Sequence, residues 1–253
     1  MSQQHVDINS DMGEGFGPWK MGDDSALLDV VSSANIACGF HAGDPVIMAR
    51  TMRMAQQNGV GIGAHPGFDD RAGFGRRRLR MSSEELKAMI TYQLGAARAT
   101  ATAAGGSVRH LKLHGALSNM ASEDAELARI CYEAALSIDP DIVIMVLAAT
   151  AMEDVVRDLG CAWAGEIFAD RAYNDDATLV ARGTEGAMIH DADEATARIL
   201  DMLKDGAIIA RSGKRIPTRI DTICVHGDSA DAVTMARALR TGLEAAGVTI
   251  TRL

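Results

Sequence analysis

Four of the seven histidines in this 253-residue chain share one local setting. Each ends an apolar run typical of a buried strand and is followed at once by Gly, Pro or Ala; they are His41, His65, His114 and His226. In parallel α/β folds the strand ends meet at one rim, where catalytic and binding groups lie. One such histidine is often a core residue, but four together predict a shared site whose imidazoles transfer protons or bind a ligand.

The first apolar run ends in polar residues of a second kind. Asn9 and Asp11 alternate along a predicted strand and so share a face, and Glu14 follows in a glycine-rich turn. A carboxylate at such a place can be a general base, a metal ligand or a turn former. We expect Asp11 and Glu14 to be catalytic and Asn9 to bind substrate.

The predicted fourth strand carries a lysine among apolar neighbours. Lys112 and His114 are two residues apart, so an extended strand directs both side chains to the same side. Burying an ammonium is costly unless it binds an anion or a carboxylate, which favours substrate binding by Lys112. The alternative is a lysine on an edge strand that faces water.

Residues 66–80, called the basic loop below, follow His65 and contain several glycines and arginines. One interpretation is an anion-recognising lid in which Arg76 or Arg77 reaches a carboxylate or a phosphate. The alternative is a solvated loop that balances an acidic surface.

Four further charged residues near predicted strand ends are candidates for substrate binding: Asp44, Asp170, Arg171 and Asp228. Asp44 also precedes Pro45, a pairing typical of a helix start. An alternative for Asp170 and Arg171 is that they pair with each other.

The elements that position these residues alternate between strand and helix patterns. Strands are predicted at 6–9, 33–38, 60–64, 108–113, 142–147, 162–168 and 221–225. Helices are predicted after Pro45, after a capping box at 82–85, and at 122–137, 150–159, 191–205 and 229–246. Seven or eight such units favour a closed or nearly closed (β/α) barrel. Because no linker divides residues 1–253, we expect one domain, with a β-hairpin insertion near 207–219.

The composition restricts the partners. The net charge of −9 argues against nucleic acid or an anionic membrane as a partner. The N-terminus has no apolar signal core, and no run approaches the roughly 20 apolar residues that cross a bilayer. We therefore expect a cytoplasmic protein. The four cysteines form no Cys-x-x-Cys pair, which favours reduced thiols.

The chain has no recognisable nucleotide-binding or metalloprotease motif. Residues 59–64 match Gly-x-Gly-x-x-Ala, but they precede and form a strand instead of following one into a helix. No Gly-x4-Gly-Lys-Ser/Thr loop and no His-Glu-x-x-His helix occurs. A metal-dependent hydrolase remains an alternative, in which Asp11, His41 and His65 bind one divalent ion.

Six sequence blocks together resemble the LamB/YcsF family. They are VDINSDMGEGFGPW, SANIACGFHAGDP, IGAHPGFDDRAGFGRR, LKLHGALSN, EIFADRAYNDDATLVAR and ICVHGD, and they follow one another from about residue 6 to residue 228. The chain departs from the family pattern at Ser10, Leu113, Ser118 and Ala177. Leu113 and Ser118 flank His114, so these departures bear on substrate preference.

The resemblance implies a fold and an activity. It implies a distorted (β/α) barrel similar to that of polysaccharide deacetylases, and a hydrolase that acts with two companion subunits in the ATP-dependent opening of the 5-oxoproline lactam to L-glutamate. Since this chain lacks a nucleotide loop, ATP would be handled by the companion subunits. Two alternatives are a metal-dependent, deacetylase-like amide hydrolase and a non-enzymatic subunit that binds a small acid.

Overall fold

The computed structural model describes residues 5–227 and 231–253. Its strands are β1 His5–Met12, β2 Ser33–Ala37, β3 Gly61–His65, β4 Val108–Lys112, β5 Val143–Leu147, β6 Trp163–Phe168, β7 Ala207–Ile209, β8 Arg215–Pro217, β9 Thr222–Cys224 and β10 Thr249–Ile250. Its α-helices are α1 Asp24–Leu28, α2 Pro45–Gln57, α3 Ser83–Ala103, α4 Gly115–Glu123, α5 Ala125–Ile138, α6 Ala151–Leu159, α7 Ala192–Asp205 and α8 Ala232–Ala245.

Seven parallel strands close into a barrel. Strands β1 to β6 pair in chain order, β9 pairs with β6, and β9 also pairs with β1 through Asp7 and Thr222. The last strand, β10, pairs only with the first two residues of β1 and so extends the barrel wall without entering the closed ring. The expected closed α/β barrel is confirmed, with seven strands.

The helix starts follow the predicted capping chemistry. The Asp44 side chain accepts hydrogen bonds from the backbone of Val46 and Ile47 at the start of α2, and Ser82 and Glu85 form a reciprocal capping box at the start of α3. These caps fix where the chain leaves the barrel rim after β2 and after the basic loop.

The region after β4 differs from the sequence-based expectation. The sequence predicts one helix at 122–137, but α4 already begins at Gly115 and a second helix, α5, begins after Asp124. The Asp124 side chain accepts from the backbone of Glu126 and Leu127, which starts α5 in a new direction. Helix α4 therefore begins directly beside His114, at the rim.

A small hairpin separates α7 from the last barrel strand. Strands β7 and β8 pair antiparallel, with Ile208 opposite Ile216. The predicted helix at 229–246 corresponds to α8, and residues 228–230 lie outside the described part of the chain. Among the helices described, none is long and apolar enough to cross a membrane.

A buried polar layer fills the barrel below the rim. Asn9 donates to Thr222 and accepts from Asn35, at 2.7 Å in each case, and His110 lies 2.8 Å from Asn35 Oδ1. Every one of these side chains is fully buried. The hydrogen bonds give partners to the buried amide and hydroxyl groups, which would be costly to bury alone, and hold the residues above them in place, while His110 Nδ1 has no hydrogen-bond partner among the described residues.

Candidate active site

A cavity of about 410 Å³ opens at the carboxyl ends of the barrel strands. Its lining combines carboxylates, imidazoles, cations and a few apolar side chains. The titratable members are Asp11, Glu14, His65, Arg76, Arg78, Lys112, His114, Glu123, Arg171, Arg182 and His226. This cavity, called the rim cavity below, has the size of a small-molecule site. Residues that are far apart in sequence meet there because each follows a parallel strand.

Lys112 lies at the bottom of the rim cavity between two carboxylates. Its Nζ is 2.7 Å from Glu166 Oε1 and 3.0 Å from Asp11 Oδ1, and it also donates to Asn9 Oδ1 at 3.3 Å. Burial alone would lower the pKa of Lys112, but Asp11 and Glu166 raise it well above its usual value. The lysine is therefore a fixed cation inside the barrel and not an edge-strand residue.

Asp11 links the lysine to the histidines. Its Oδ1 accepts from Asn35 at 2.9 Å, and its Oδ2 lies 3.4 Å from His65 Nε2. Burial would raise the pKa of Asp11, but His65 and Lys112 hold it well below its usual value of 3.8. Asp11 is thus a carboxylate at neutral pH.

Three histidines and one glutamate form a tight group, called the histidine cluster below: Glu14, His41, His65 and His114. The rings of His41 and His114 stack with centroids 3.6 Å apart, and His65 Nε2 is 3.0 Å from His114 Nδ1. Glu14 Oε1 lies 3.4 Å from His41 Nε2 and 3.6 Å from His114 Nδ1. One ligand atom from each of the four lies within 4.8 Å of the others, so the cluster can hold a metal ion.

The protonation of the cluster differs from the sequence-based expectation. Burial lowers the pKa of His114 to about 3 and holds that of His41 well below its usual value. Both pKa values lie below the near-neutral range that the sequence predicts for these imidazoles, so both rings are neutral at pH 7.

His226 stands on another side of the rim cavity with a different partner. Its Nδ1 donates to the Asp170 carboxylate at 2.7 Å, and its ring stacks on Phe168 with centroids 5.0 Å apart. This pairing fixes the ring so that Nε2 remains for a substrate or water. Asp170 therefore pairs with His226 and not with Arg171, which the sequence offered as an alternative. Arg171 instead donates to the Val180 carbonyl at 2.6 Å.

The arginines of the basic loop take different places. Arg76 lines the rim cavity, with its guanidinium 4.8 Å from the Phe74 ring centre. Arg77 instead forms an ion pair with Asp70 within the loop and does not line the cavity. The expected contact of Arg77 with substrate is therefore not supported, because its charge is already used to close the loop.

Three other predicted binding residues are placed as follows. Asn9 is fully buried in the polar layer, where it contacts Lys112, and does not reach the cavity surface. Asp44 caps α2 and accepts from the backbone of Gly17, so it serves the loop structure. Asp228 lies outside the described residues.

The structure adds two positioning groups that the sequence does not single out as site residues. Glu166 is 1% exposed and contacts Lys112 from β6. The Phe74 carbonyl accepts from His114 Nε2 at 2.8 Å, and Phe74 has a positive φ of 53°. A buried acid in an apolar strand was a usable signal for Glu166, but a backbone carbonyl leaves no trace in a sequence.

Known proteins resemble this chain along its full length. The A subunit of 5-oxoprolinase from Ruegeria pomeroyi is 61% identical over 246 residues, which cover 97% of each chain. The crystal structure of a lactam utilization protein from Thermus thermophilus superposes with a TM-score of 0.92 at 40% identity and covers 99% of this chain and all of the other. A T48 deacetylase, at 13% identity and a TM-score of 0.53 over 99% of this chain and 89% of its own, shares the fold.

The deacetylase match agrees with the expected deacetylase-like barrel. The family-level evidence is more specific, since the model of the LamB/YcsF family matches residues 6–253. Together with the 61% identical relative, this match places the sequence blocks around His41, His65, His114 and His226 in one family. The chain belongs to the LamB/YcsF family.

Proposed function

We propose that this chain is the A subunit of an ATP-dependent 5-oxoprolinase, a hydrolase that opens a cyclic amide. The full-length similarity to a relative of that name supports the activity. The observation that carries the proposal in the structure is the rim cavity, which combines a cationic wall with an oriented Asp–His pair. A small lactam that carries a carboxylate needs both.

The reaction requires activation before water can attack. A five-membered lactam is an unreactive amide, and transfer of the γ-phosphoryl group of ATP to its oxygen releases ADP and makes the ring carbon electrophilic. One water adds to that carbon, the C–N bond breaks as the ring nitrogen takes up a proton, and an acyl phosphate of the side chain remains. A second water releases phosphate, so that two waters are consumed and the products are L-glutamate, ADP and phosphate. Because the chain has no recognisable nucleotide loop, companion subunits bind ATP in this proposal.

The charged residues of the rim cavity have separate proposed roles in this reaction. Arg76 and Arg171 line the cavity and bind the substrate carboxylate, while Lys112 stabilises charge that develops on the oxygen of the activated carbonyl. His226, oriented by Asp170, transfers the proton to the departing ring nitrogen. Asp11, a carboxylate at the cavity floor, orients the attacking water.

Reconstitution tests the proposed function. We expect no consumption of 5-oxoproline and no ATP hydrolysis by the purified chain alone. Once the companion subunits are added, L-glutamate and ADP should form in equal amounts. ATP-independent hydrolysis of an amide by the single chain would instead indicate a metal-dependent hydrolase. Tight binding of 5-oxoproline without turnover in the reconstituted complex would indicate a binding subunit.

A further inference from the structure

We propose that the histidine cluster is a binding site for one divalent transition-metal ion, with Glu14, His41, His65 and His114 as its ligands. The four side chains come from the ends of β1, β2, β3 and β4. Three imidazoles and one carboxylate are a ligand set that suits Zn²⁺ and its neighbours in the transition series and does not suit Mg²⁺ or Ca²⁺. The inference concerns binding and does not depend on the proposed function.

The hydrogen bonds of two rings determine where their lone pairs point. His65 Nδ1 lies 2.8 Å from the Lys112 carbonyl, and His114 Nε2 lies 2.8 Å from the Phe74 carbonyl. A carbonyl oxygen can only accept, so each of these nitrogens carries the hydrogen. When each ring carries one hydrogen, the other two nitrogens, His65 Nε2 and His114 Nδ1, therefore carry lone pairs.

In that state the two nitrogens face each other with no hydrogen between them. They are 3.0 Å apart, and carboxylate oxygens of Asp11 and Glu14 lie 3.4 Å and 3.6 Å from one or the other. Four electron-rich atoms at such distances repel one another unless a cation lies among them. A metal ion would accept a lone pair from several of these atoms and remove the repulsion. Ligating histidines in metal sites are commonly oriented by hydrogen bonds to backbone carbonyls, as His65 and His114 are here.

His41 provides independent support. It is 0% exposed, and neither of its ring nitrogens has a hydrogen-bond partner among the described residues. Burying an imidazole without any partner costs free energy. Its Nε2 lies 3.4 Å from Glu14 Oε1, at the edge of the same group, where a metal ion would give the ring its missing partner.

Several spacings also fit. Metal bonds of about 2.0–2.1 Å place tetrahedral ligand atoms roughly 3.3–3.5 Å apart. The distances are 3.0 Å between His65 Nε2 and His114 Nδ1, 3.4 Å between His41 Nε2 and Glu14 Oε1, and 3.6 Å between His114 Nδ1 and Glu14 Oε1. Because the rings of His41 and His114 stack in nearly parallel planes, one of them has to turn for both to bind the same ion.

The proposed ligands differ from those that the sequence suggests. The sequence places Asp11 with His41 and His65, but Asp11 Oδ1 is held by Lys112 and Asn35, so Glu14 and His114 take its place. Glu14, His65 and His114 line the rim cavity, so a bound ion would be accessible to a small molecule. Such an ion can act as a Lewis acid and can lower the pKa of bound water.

Metal titration of the chelator-treated full-length chain tests the site. With Co²⁺ as the probe, we expect one equivalent to bind and to give the intense visible absorption of a four- or five-coordinate nitrogen–oxygen site. Zn²⁺ should displace the Co²⁺ and raise the melting temperature. Failure of the wild-type protein to bind Co²⁺ or Zn²⁺ stoichiometrically would overturn the inference, and this result does not depend on any variant folding.

Two variants locate the ion. His41→Ala and Glu14→Gln should weaken Zn²⁺ binding by about 10- to 100-fold or more. The matched control is His226→Asn, which alters a histidine in the same cavity but outside the cluster and should leave Zn²⁺ affinity unchanged. Equal loss in His226→Asn, or full Zn²⁺ affinity in both cluster variants, would also overturn the assignment.

Discussion

At the scale of single residues, Lys112 and His226 of the rim cavity have opposite characters. Lys112 is locked between Asp11 and Glu166, so its charge is permanent. His226 has one nitrogen held by Asp170 and remains partly exposed, so its ring can contact a substrate in the rim cavity. We therefore assign electrostatic stabilisation to the lysine and proton transfer to the histidine.

Replacing His226 tests the proton-transfer role. His226→Asn keeps a polar side chain but removes the titratable nitrogen, so turnover by the reconstituted complex should fall by about 10²- to 10⁴-fold. His190→Asn, which alters an exposed histidine away from the cavity, is the matched control and should leave turnover unchanged. Equal turnover in wild-type protein and His226→Asn would remove His226 from the mechanism.

Replacing Lys112 tests the buried charge network. Lys112→Met leaves Asp11 and Glu166 buried without their cation, and we expect the free energy of unfolding at pH 7 to fall by about 3–5 kcal/mol. Lys87→Met, at an exposed position of α3, should change it by less than about 0.5 kcal/mol. Chemical denaturation measures both; similar stability of the two variants would contradict the network.

The pH dependence of that stability loss follows from the pKa shifts. The pKa of Asp11 is lowered in the folded state, so its contribution is present above its usual value of 3.8 and is lost as the pH falls through the lowered pKa. The pKa of Lys112 is raised, so its contribution is present below 10.5 and is lost as the pH rises through the raised pKa. The difference between wild-type and Lys112→Met should therefore be largest between these limits and shrink in acid.

At the scale of elements, the basic loop closes against the histidine cluster. Asp70 accepts from the Gly73 backbone and pairs with Arg77, which folds the loop so that the Phe74 carbonyl meets His114. Gly75 then passes directly over the cluster, with a φ of +62°. The loop thus positions imidazoles as well as bringing Arg76 to the cavity.

The close approach at Gly75 gives a test of this packing. An alanine Cβ there would lie 2.7 Å from His41 Cβ and 2.8 Å from His114 Cδ2, so Gly75→Ala should displace the cluster together with the adjacent Arg76, which we propose binds the substrate carboxylate, and should thereby reduce turnover. Gly160→Ala is the matched control, because Gly160 has a similar φ of +65° but nothing within 4 Å of the added atom. Gly160→Ala measures the effect of backbone strain at a positive φ without a steric clash. An equal loss of turnover in Gly75→Ala and Gly160→Ala would contradict the packing argument.

The two neighbouring arginines of the loop should behave differently. Arg76→Ala removes a cation from the cavity wall and should raise the KM for 5-oxoproline roughly tenfold, the scale of one hydrogen bond to a charged group. Arg77→Ala removes the exposed partner of the buried Asp70 carboxylate and should raise KM less than Arg76→Ala does, because Arg77 does not line the cavity. Steady-state kinetics of the reconstituted complex checks both, and a larger KM effect in Arg77→Ala would reverse the assignment.

The strands and the histidines were predictable because both depend on local patterns. Apolar runs that end in His and a small residue, or in polar residues, predicted the approximate positions of the barrel strands. The same pattern predicted that Asp11, Lys112, His114 and His226 lie at one rim, and all four line the rim cavity. Pairings depend on the folded chain and were not predictable: Arg77 with Asp70, and Asp170 with His226 rather than with Arg171. Whether α4 begins at Gly115 also depended on the geometry after β4.

At the scale of the whole molecule, barrel closure explains the site. The pairing of β9 with β1 brings Cys224 beside Asn9, and His226, two residues later, lines the same cavity as the histidine cluster. The polar layer of Asn9, Asn35 and Thr222 ties the strands together beneath the rim. One closed barrel thus presents a cationic wall, an Asp–His pair and a group of imidazoles to the same small molecule.

The most direct test is to locate 5-oxoproline in the complex of this chain with its companion subunits, by crystallography or cryo-electron microscopy. We predict that the lactam lies in the rim cavity, with its carboxylate on Arg76 or Arg171 and its ring nitrogen within hydrogen-bond distance of His226 Nε2. A lactam bound in one of the companion chains, or bound to this chain away from Lys112 and His226, would contradict the assignment of this cavity as the lactam-opening site.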